Sequence, residues 1–280
     1  MTIKSLREQY LDKGFISAID IVSSETARQH RIALETAESQ IGSLHYISKV
    51  HTILQSPFEL ATNPALLNVV EACIGHDLLL YNVTYIIKEP HSKSYVSWHQ
   101  DLTYWGFDSD DQISVWLALS PTTEQSGCMK MIPCSHREGR VEHSLKNDKN
   151  NVLFSGQTIS EVDESTALSC ELNPGQASFH HGWTKHSSLP NRSDDRRIGL
   201  NIQYIAPHVK QVKQAGDSAM LVRGKDRYQY YETDIGADAD LDPQAMKYHA
   251  MLQLRYEEIA RAKWTWRFIQ AQCDAIKALS

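Results

Sequence analysis

Arg197-Ile198-Gly199-Leu200-Asn201-Ile202-Gln203-Tyr204-Ile205 alternates residue by residue. A strand turns successive side chains to opposite faces, so Ile198, Leu200, Ile202 and Tyr204 form an apolar face, and Arg197, Gly199, Asn201 and Gln203 a polar one. Two earlier stretches repeat the pattern. In Leu80 to Lys88, Tyr81, Val83, Tyr85 and Ile87 oppose Asn82, Thr84, Ile86 and Lys88; in Gln112 to Ser120, Ile113, Val115, Leu117 and Leu119 oppose Ser114, Trp116 and Ala118. Turn signals at Glu89-Pro90, Ser120-Pro121, Asn173-Pro174-Gly175 and Pro190-Asn191 separate the runs. A plain sandwich would line its interior with apolar residues, so a polar face on otherwise buried strands predicts a wet, functional cavity between two sheets.

The flanks read differently. Leu6 to Lys13 predicts a helix closed by Gly14, Ser24 can cap a second that ends before Gly42, and Asn63-Pro64 starts a third that Gly75 closes. Met246, Leu252, Ile259, Ala262, Trp266 and Ile269 return to helical spacing near the C-terminus. The reading is a single domain over 1–280, mainly β with flanking helices: N-terminal helices over about 1–77, a strand core over about 78–209 and a helical region over about 243–279. Trp264, Trp266 and Phe268 read as core or as a dimer face, which leaves monomer or homodimer open.

Composition removes several classes of function. A chain of 280 residues with 41% apolar and 22% charged content is an ordinary globular protein. Net charge is −6, with 28 basic and 34 acidic residues mixed along the chain, so nucleic acid and anionic membranes are poor partners and a small molecule is the expected one. The five cysteines, Cys73, Cys128, Cys134, Cys170 and Cys273, are scattered and form no CxxC pair, against both a disulfide framework and a cysteine zinc site. A polar N-terminus and the lack of any run near the ~20 apolar residues of a membrane helix make a cytoplasmic setting the expectation.

Chemistry concentrates in two segments. In Trp98-His99-Gln100-Asp101, His99 and Asp101 would share one face of a strand and could grip one ion. Alone, the pair is what chance supplies in a chain with 13 histidines. The second segment, Phe179 to Arg197, brings His180, His181 and His186; these and His136 upstream are all possible third ligands on spacing. Two histidines and one carboxylate leave open positions on a ferrous ion. An arginine on a polar strand face is then suited to a co-substrate carboxylate, because its fork binds carboxylate bidentately. Arg197 stands eleven residues after His186.

At these residues the chain resembles the phytanoyl-CoA dioxygenase family of Fe(II)/2-oxoglutarate oxygenases. The match is carried by His99-Gln100-Asp101, by His186-Ser187-Ser188-Leu189-Pro190-Asn191-Arg192-Ser193, and by Arg197 at the family's offset. Ile132-Pro133-Cys134-Ser135-His136 is similar to the family's Pro-Gly-Ser-His turn, with Cys134 where glycine is usual. The resemblance spans about Tyr10 to Val209. It implies a double-stranded β-helix (a cupin-like jelly roll) holding Fe(II) through His99, Asp101 and His186. It also implies that 2-oxoglutarate and O2 are consumed to succinate and CO2 while a small metabolite or natural-product intermediate is hydroxylated.

Arg197 would hold the distal carboxylate of 2-oxoglutarate. Ser188 beside it is equally a turn hydroxyl, Asn82 and Lys88 fall where members place pocket contacts, and Trp116 is either pocket wall or core. Gly199 either admits the co-substrate or marks a bulge. Trp98 and Gln100 read as supports; Tyr104 and Trp183, in loops beside the ligands, are the substrate-pocket expectations. Halogenases of related fold replace the carboxylate ligand by Ala or Gly, so Asp101 points to a halide-free oxidation. The competing class is a metal-binding jelly roll without oxygenase activity, a sensor or cupin-like isomerase, for which Arg197 would have no use.

Overall fold

The computed structural model describes residues 3–145, 148–153 and 157–261. Trp264, Trp266, Phe268 and Cys273 lie outside the described residues. In chain order the elements are α1 (Ile3–Lys13), β1 (Phe15–Asp20), α2 (Ser24–Ile41), α3 (Gln55–Ala61), α4 (Pro64–Ile74), β2 (Leu78–Lys88), β3 (Val96–His99), α5 (Leu102–Trp105), β4 (Gln112–Ala118) and β5 (Met129–Met131). They continue as β6 (Ser144–Leu145), β7 (Gln157–Thr158), β8 (Leu168–Cys170), β9 (Gln176–His181), β10 (His186–Ser188), β11 (Arg197–Ile205), β12 (Ser218–Arg223), β13 (Glu232–Thr233) and α6 (Pro243–Arg261).

The alternating stretches form the middle of a seven-stranded sheet, ordered β1-β9-β4-β11-β2-β12-β13. A four-stranded sheet, β3-β10-β5-β8, makes the second layer of the jelly roll. β11 lies antiparallel between β2 and β4, with Arg197 opposite Lys88 and Gly199 opposite Ile86 and Ala118. Its apolar face is fully buried: Ile198, Leu200, Ile202 and Tyr204 share one core with Leu6 of α1, Leu34 of α2 and Leu66 and Val70 of α4. Each such side chain contributes about 1.5–3 kcal/mol on burial. The polar face, with Arg197, Asn201 and Gln203, looks the other way into a cavity that the second sheet also lines. Helices α1, α2 and α4 thus cover one side of the large sheet and leave the other to the site.

The helix signals hold with small shifts. Asn63 caps α4 by accepting from the Ala65 N–H at 2.8 Å, with Pro64 in the first turn and Gly75 closing it. The cap of α2 is Ser23, one residue before the expected Ser24, accepting from the Thr26 N–H at 3.0 Å. Three strands, β1, β12 and β13, fall outside the expected core. β1 pairs with β9 at the sheet edge, within the region read as helical, and its bulge between Ile16 and Ile19, beside Ala18 at φ 57°, spoils the period-two pattern. β12, past Val209, pairs with β2. Cys134 takes φ 63°, the left-handed region where a glycine costs nothing, which explains the family's preference at that turn. No helix among the described residues is long and apolar enough to cross a membrane.

Candidate metal centre

His99 ends β3 and His186 begins β10, and the two strands pair with these residues opposite one another. Their rings lie 4.0 Å apart between centroids. Asp101 is not on the strand, as the i, i+2 argument requires; the chain turns after Gln100, and Asp101 takes helical angles (φ −60°, ψ −45°) at the head of the one-turn α5. The turn still delivers its carboxylate, with Oδ1 at 3.4 Å from His99 Nε2 and 3.6 Å from His186 Nε2. Adjacent ligands at about 2.1 Å from one octahedral ion stand roughly 3 Å apart, so the three donor atoms fit a metal with little adjustment. Among the described residues, His99, Asp101 and His186 are the one cluster of metal-binding side chains with this spacing.

Neighbouring groups set the form of each ligand. His99 Nδ1 lies 2.9 Å from the Ser97 carbonyl and His186 Nδ1 lies 2.9 Å from the Thr184 carbonyl. A carbonyl only accepts, so each Nδ1 carries the proton and each Nε2 keeps its lone pair for an ion. Asp101 Oδ2 accepts from the Ser114 hydroxyl at 2.6 Å and lies 3.1 Å from His180 Nε2, leaving Oδ1 free. Burial raises the Asp101 pKa, but His186 and the contacts from His180 and His99 outweigh it and hold the carboxyl well below its usual range. Burial first, then His99, pushes the His186 pKa well below its usual range and keeps the ring neutral. Gln100 ties the segments together: its Nε2 donates to the Gly139 and Trp183 carbonyls at 2.7 and 2.8 Å, and its Oε1 accepts from the Val141 N–H at 2.9 Å.

Arg197 supplies the other half of the site. It is 1% exposed, and its Nε and Nη1 find no hydrogen-bond partner among the described residues. Its guanidinium carbon sits 4.5 Å from the centre of the Trp116 ring. Gly199 makes room for that ring: a Cβ there would fall 1.9 Å from Trp116 Cζ2. Burial pulls the Arg197 pKa down to about 10, so the group stays charged near neutrality. A buried, unpaired cation costs several kcal/mol, which an incoming carboxylate would recover. The donor set and this cation therefore fit, respectively, a ferrous ion and the distal carboxylate of 2-oxoglutarate.

Both halves open on one cavity of about 460 Å³. Of the residues expected from sequence, His99, Asp101, His186, Arg197, Ser188, Asn82, Trp116 and Tyr104 line it; Lys88 and Trp183 do not. The Lys88 ammonium is spent on Ser188, whose hydroxyl it reaches at 2.7 Å, and on the Leu189 carbonyl. Trp183 packs, like Tyr104, against the Leu102, Trp105 and Phe107 cluster. His136 contacts the Leu11 carbonyl at 3.2 Å and His181 takes the Trp183 N–H at 3.1 Å, both away from the triad. His180, a possible third ligand on spacing, instead contacts Asp101 Oδ2 and lines the cavity. Tyr46, Ser48, Gln253 and Tyr256 also line the cavity, and sequence reasoning misses them. They come from a loop and a helix far away in the chain, and no local pattern signals where such segments dock.

A jelly roll whose sheets frame two histidines, one carboxylate and a buried arginine defines a non-haem, metal-dependent oxygenase. The family model for phytanoyl-CoA dioxygenase (PhyH) matches residues 14–199, and the chain belongs to that family of Fe(II)/2-oxoglutarate-dependent oxygenases. It is 28% identical over 168 residues to a probable phytanoyl-CoA dioxygenase of Caenorhabditis elegans, covering 56% of this chain and 54% of that one, so it spans about half the relative's length. It is 24% identical over 224 residues to a probable alpha-ketoglutarate-dependent hypophosphite dioxygenase of Stutzerimonas stutzeri, covering 71% of this chain and 77% of the relative. Among solved structures, the apo form of the non-heme monooxygenase ThoJ superposes with a TM-score of 0.82 at 29% identity, over 91% of this chain and 97% of that one. CytC3 with Fe(II) and alpha-ketoglutarate shares the fold at a TM-score of 0.61 and 21% identity, over 81% and 90% of the two chains.

Proposed function

We propose that the protein binds Fe(II) through His99, Asp101 and His186 and couples the conversion of 2-oxoglutarate and O2 to succinate and CO2 to hydroxylation of an unactivated C–H bond in a small molecule. The observation that carries the reading is Arg197, a fully buried cation whose Nε and Nη1 lack partners among the described residues, in the same cavity as a three-donor cluster. A metal-binding jelly roll without oxygenase activity is not favoured, because it would bear the cost of that cation for nothing.

Iron bound there would supply the activation of O2 that side chains cannot. The chain's own groups bind and orient. Arg197 takes the distal carboxylate, with the Ser188 hydroxyl beside it and Lys88 holding Ser188 in place. Trp116 backs the guanidinium with its ring, and Asn82 shapes the wall above. Ile86 and Met129 exclude water at this end. Tyr104 lines the space left for substrate, with its hydroxyl buried and without a partner among the described residues, and Trp183 packs on the same apolar cluster. A retained Asp101, where related halogenases have Ala or Gly, favours hydroxylation.

Anaerobic addition of Fe(II) and 2-oxoglutarate should give the weak visible charge-transfer band of the chelate. His186→Ala should abolish it. A wild-type protein with no band, or a band that survives His186→Ala, overturns the assignment.

A further inference from the structure

We infer that the outer part of the cavity, through Gln253 and Tyr256 of α6, reads an uncharged hydrogen-bonding group on the substrate. This rests on the reading that gives Arg197 to 2-oxoglutarate. With Arg197 so committed, no lysine or further arginine lines the cavity among the described residues, and its one carboxylate, Asp101, belongs to the metal cluster. Apart from His180, which is turned to Asp101, the remaining polar wall among the described residues is made of hydroxyls and amides. A charged substrate group entering here would shed water and meet no counter-ion, a cost that a neutral amide, alcohol or ketone avoids.

α6 lies wholly beyond the residues matched by the family model, yet it is firmly docked. Leu252 and Ile259 are buried, and His249 Nε2 lies 2.8 Å from the Ser48 carbonyl. Gln253 Nε2 donates to the same carbonyl. The same Nε2 lies 3.2 Å from His249 Nε2, which leaves the side-chain carbonyl of Gln253 to serve a ligand. The Tyr256 hydroxyl accepts from Asn82 Nδ2 at 3.3 Å and also meets the side chains of Trp105 and Ser48; Trp105 can only donate, so the Tyr256 proton is exchanged between Ser48 and an incoming ligand. The loop opposite is held in a costly shape: Tyr46 and Lys49 both take left-handed angles (φ 60° and 53°), as backbone at functional sites often does. Trp105 and Tyr104 flank the same space and suit a flat or ringed body. The substrate class is therefore a neutral amphipathic molecule with a cyclic frame and a hydrogen-bonding substituent. This chemistry separates it from acyl-CoA, free amino acid and oxyanion substrates, whose charges meet no counter-ion among the described residues of the wall.

The test uses the full chain loaded anaerobically with Fe(II) and 2-oxoglutarate, the charge-transfer band being recorded first. Its absence at this stage is a failure of the co-substrate reading, seen before any probe is added. Three matched probes follow, with binding read by saturation-transfer NMR: indole-3-acetamide, indole-3-acetate and tryptamine. The amide should bind about tenfold more tightly than the anion or the cation, since an unpaired charge is the costlier group to bury. Tyr256→Phe should weaken the amide roughly five- to tenfold, the value of one hydrogen bond, while the band persists. Leu254→Ala, on the same helix but 66% exposed, should bind as wild type. The inference is overturned if acetate or tryptamine binds as well as the amide, or if the amide fails to bind. It is equally overturned if Tyr256→Phe leaves amide binding intact or loses the band.

Discussion

Gly199→Ala tests the link between sheet geometry and the co-substrate site. The added Cβ would fall 1.9 Å from Cζ2, 2.1 Å from Cε2 and 2.5 Å from Cη2 of Trp116, all atoms of the six-membered ring. Trp116 is 2% exposed and stands on β4, while Gly199 is held on β11 by ladders on both sides, so neither backbone yields easily. Overpacking of this kind costs about 1–3 kcal/mol. At roughly 2–4 °C per kcal/mol for a chain of this size, the melting temperature should fall by several degrees.

The effect on function should be comparable in size to the effect on stability. The displaced indole is the surface against which the Arg197 guanidinium lies, at 4.5 Å. Loss of a desolvated cation–π contact is worth about 1–2 kcal/mol, or roughly a 5- to 30-fold rise in the dissociation constant for 2-oxoglutarate. Titration of the chelate band measures that constant, and thermal unfolding measures the cost in stability. Trp116→Phe removes the ring atoms that clash, so the double variant should regain most of the lost stability, giving a coupling energy of opposite sign to the single costs. A Gly199→Ala protein with wild-type melting temperature and wild-type 2-oxoglutarate affinity would refute the reasoning.

Two further perturbations probe the site and the core. Ser114→Ala removes the 2.6 Å hydrogen bond that holds Asp101 Oδ2, and should weaken metal binding by about 10- to 100-fold in a calorimetric Mn(II) titration, with the melting temperature of the metal-free protein little changed. His51 is fully buried, neither ring nitrogen finds a hydrogen-bond partner among the described residues, and burial depresses its pKa from 6.5 to about 3. The unfolded chain therefore binds the extra proton between these values, and stability is lost as pH falls through that window. Between pH 7 and pH 5 wild type should lose about 2 kcal/mol more than His51→Leu in denaturant unfolding; parallel pH profiles would refute this.

The parts of the fold legible in sequence are those written in a local period. The strand Arg197 to Ile205 announces both of its faces, because burial of one and wetting of the other act on successive residues. The caps at Asn63 and Gly75 are equally local. Of the triad, the motif marks His99 and Asp101 as a pair but misplaces Asp101 on the strand. The direction of a carboxylate depends on a turn after Gln100, and that turn is set by hydrogen bonds to Gly139, Val141 and Trp183. Lys88 shows the same limit. Alternation puts it on the polar face of its strand, yet its ammonium ends on Ser188, a residue brought near only by the packing of the two sheets.

What stays hidden is what two distant segments make together. His180 supports Asp101 only because β9 and the head of α5 meet, and Gln253 and Tyr256 are cavity wall only because α6 folds back over the loop around Ser48. This division has a physical basis. Holding a metal and a dicarboxylate demands fixed charges at fixed spacings, and such demands leave a motif such as His99-x-Asp101 with Arg197 eleven residues after His186. Recognising a neutral substrate demands only hydrogen-bonding and apolar surface at the right place, which many residues on many segments can provide. The proposed chemistry is therefore written in the chain at the level of residues, and the proposed choice of substrate at the level of how α6 docks.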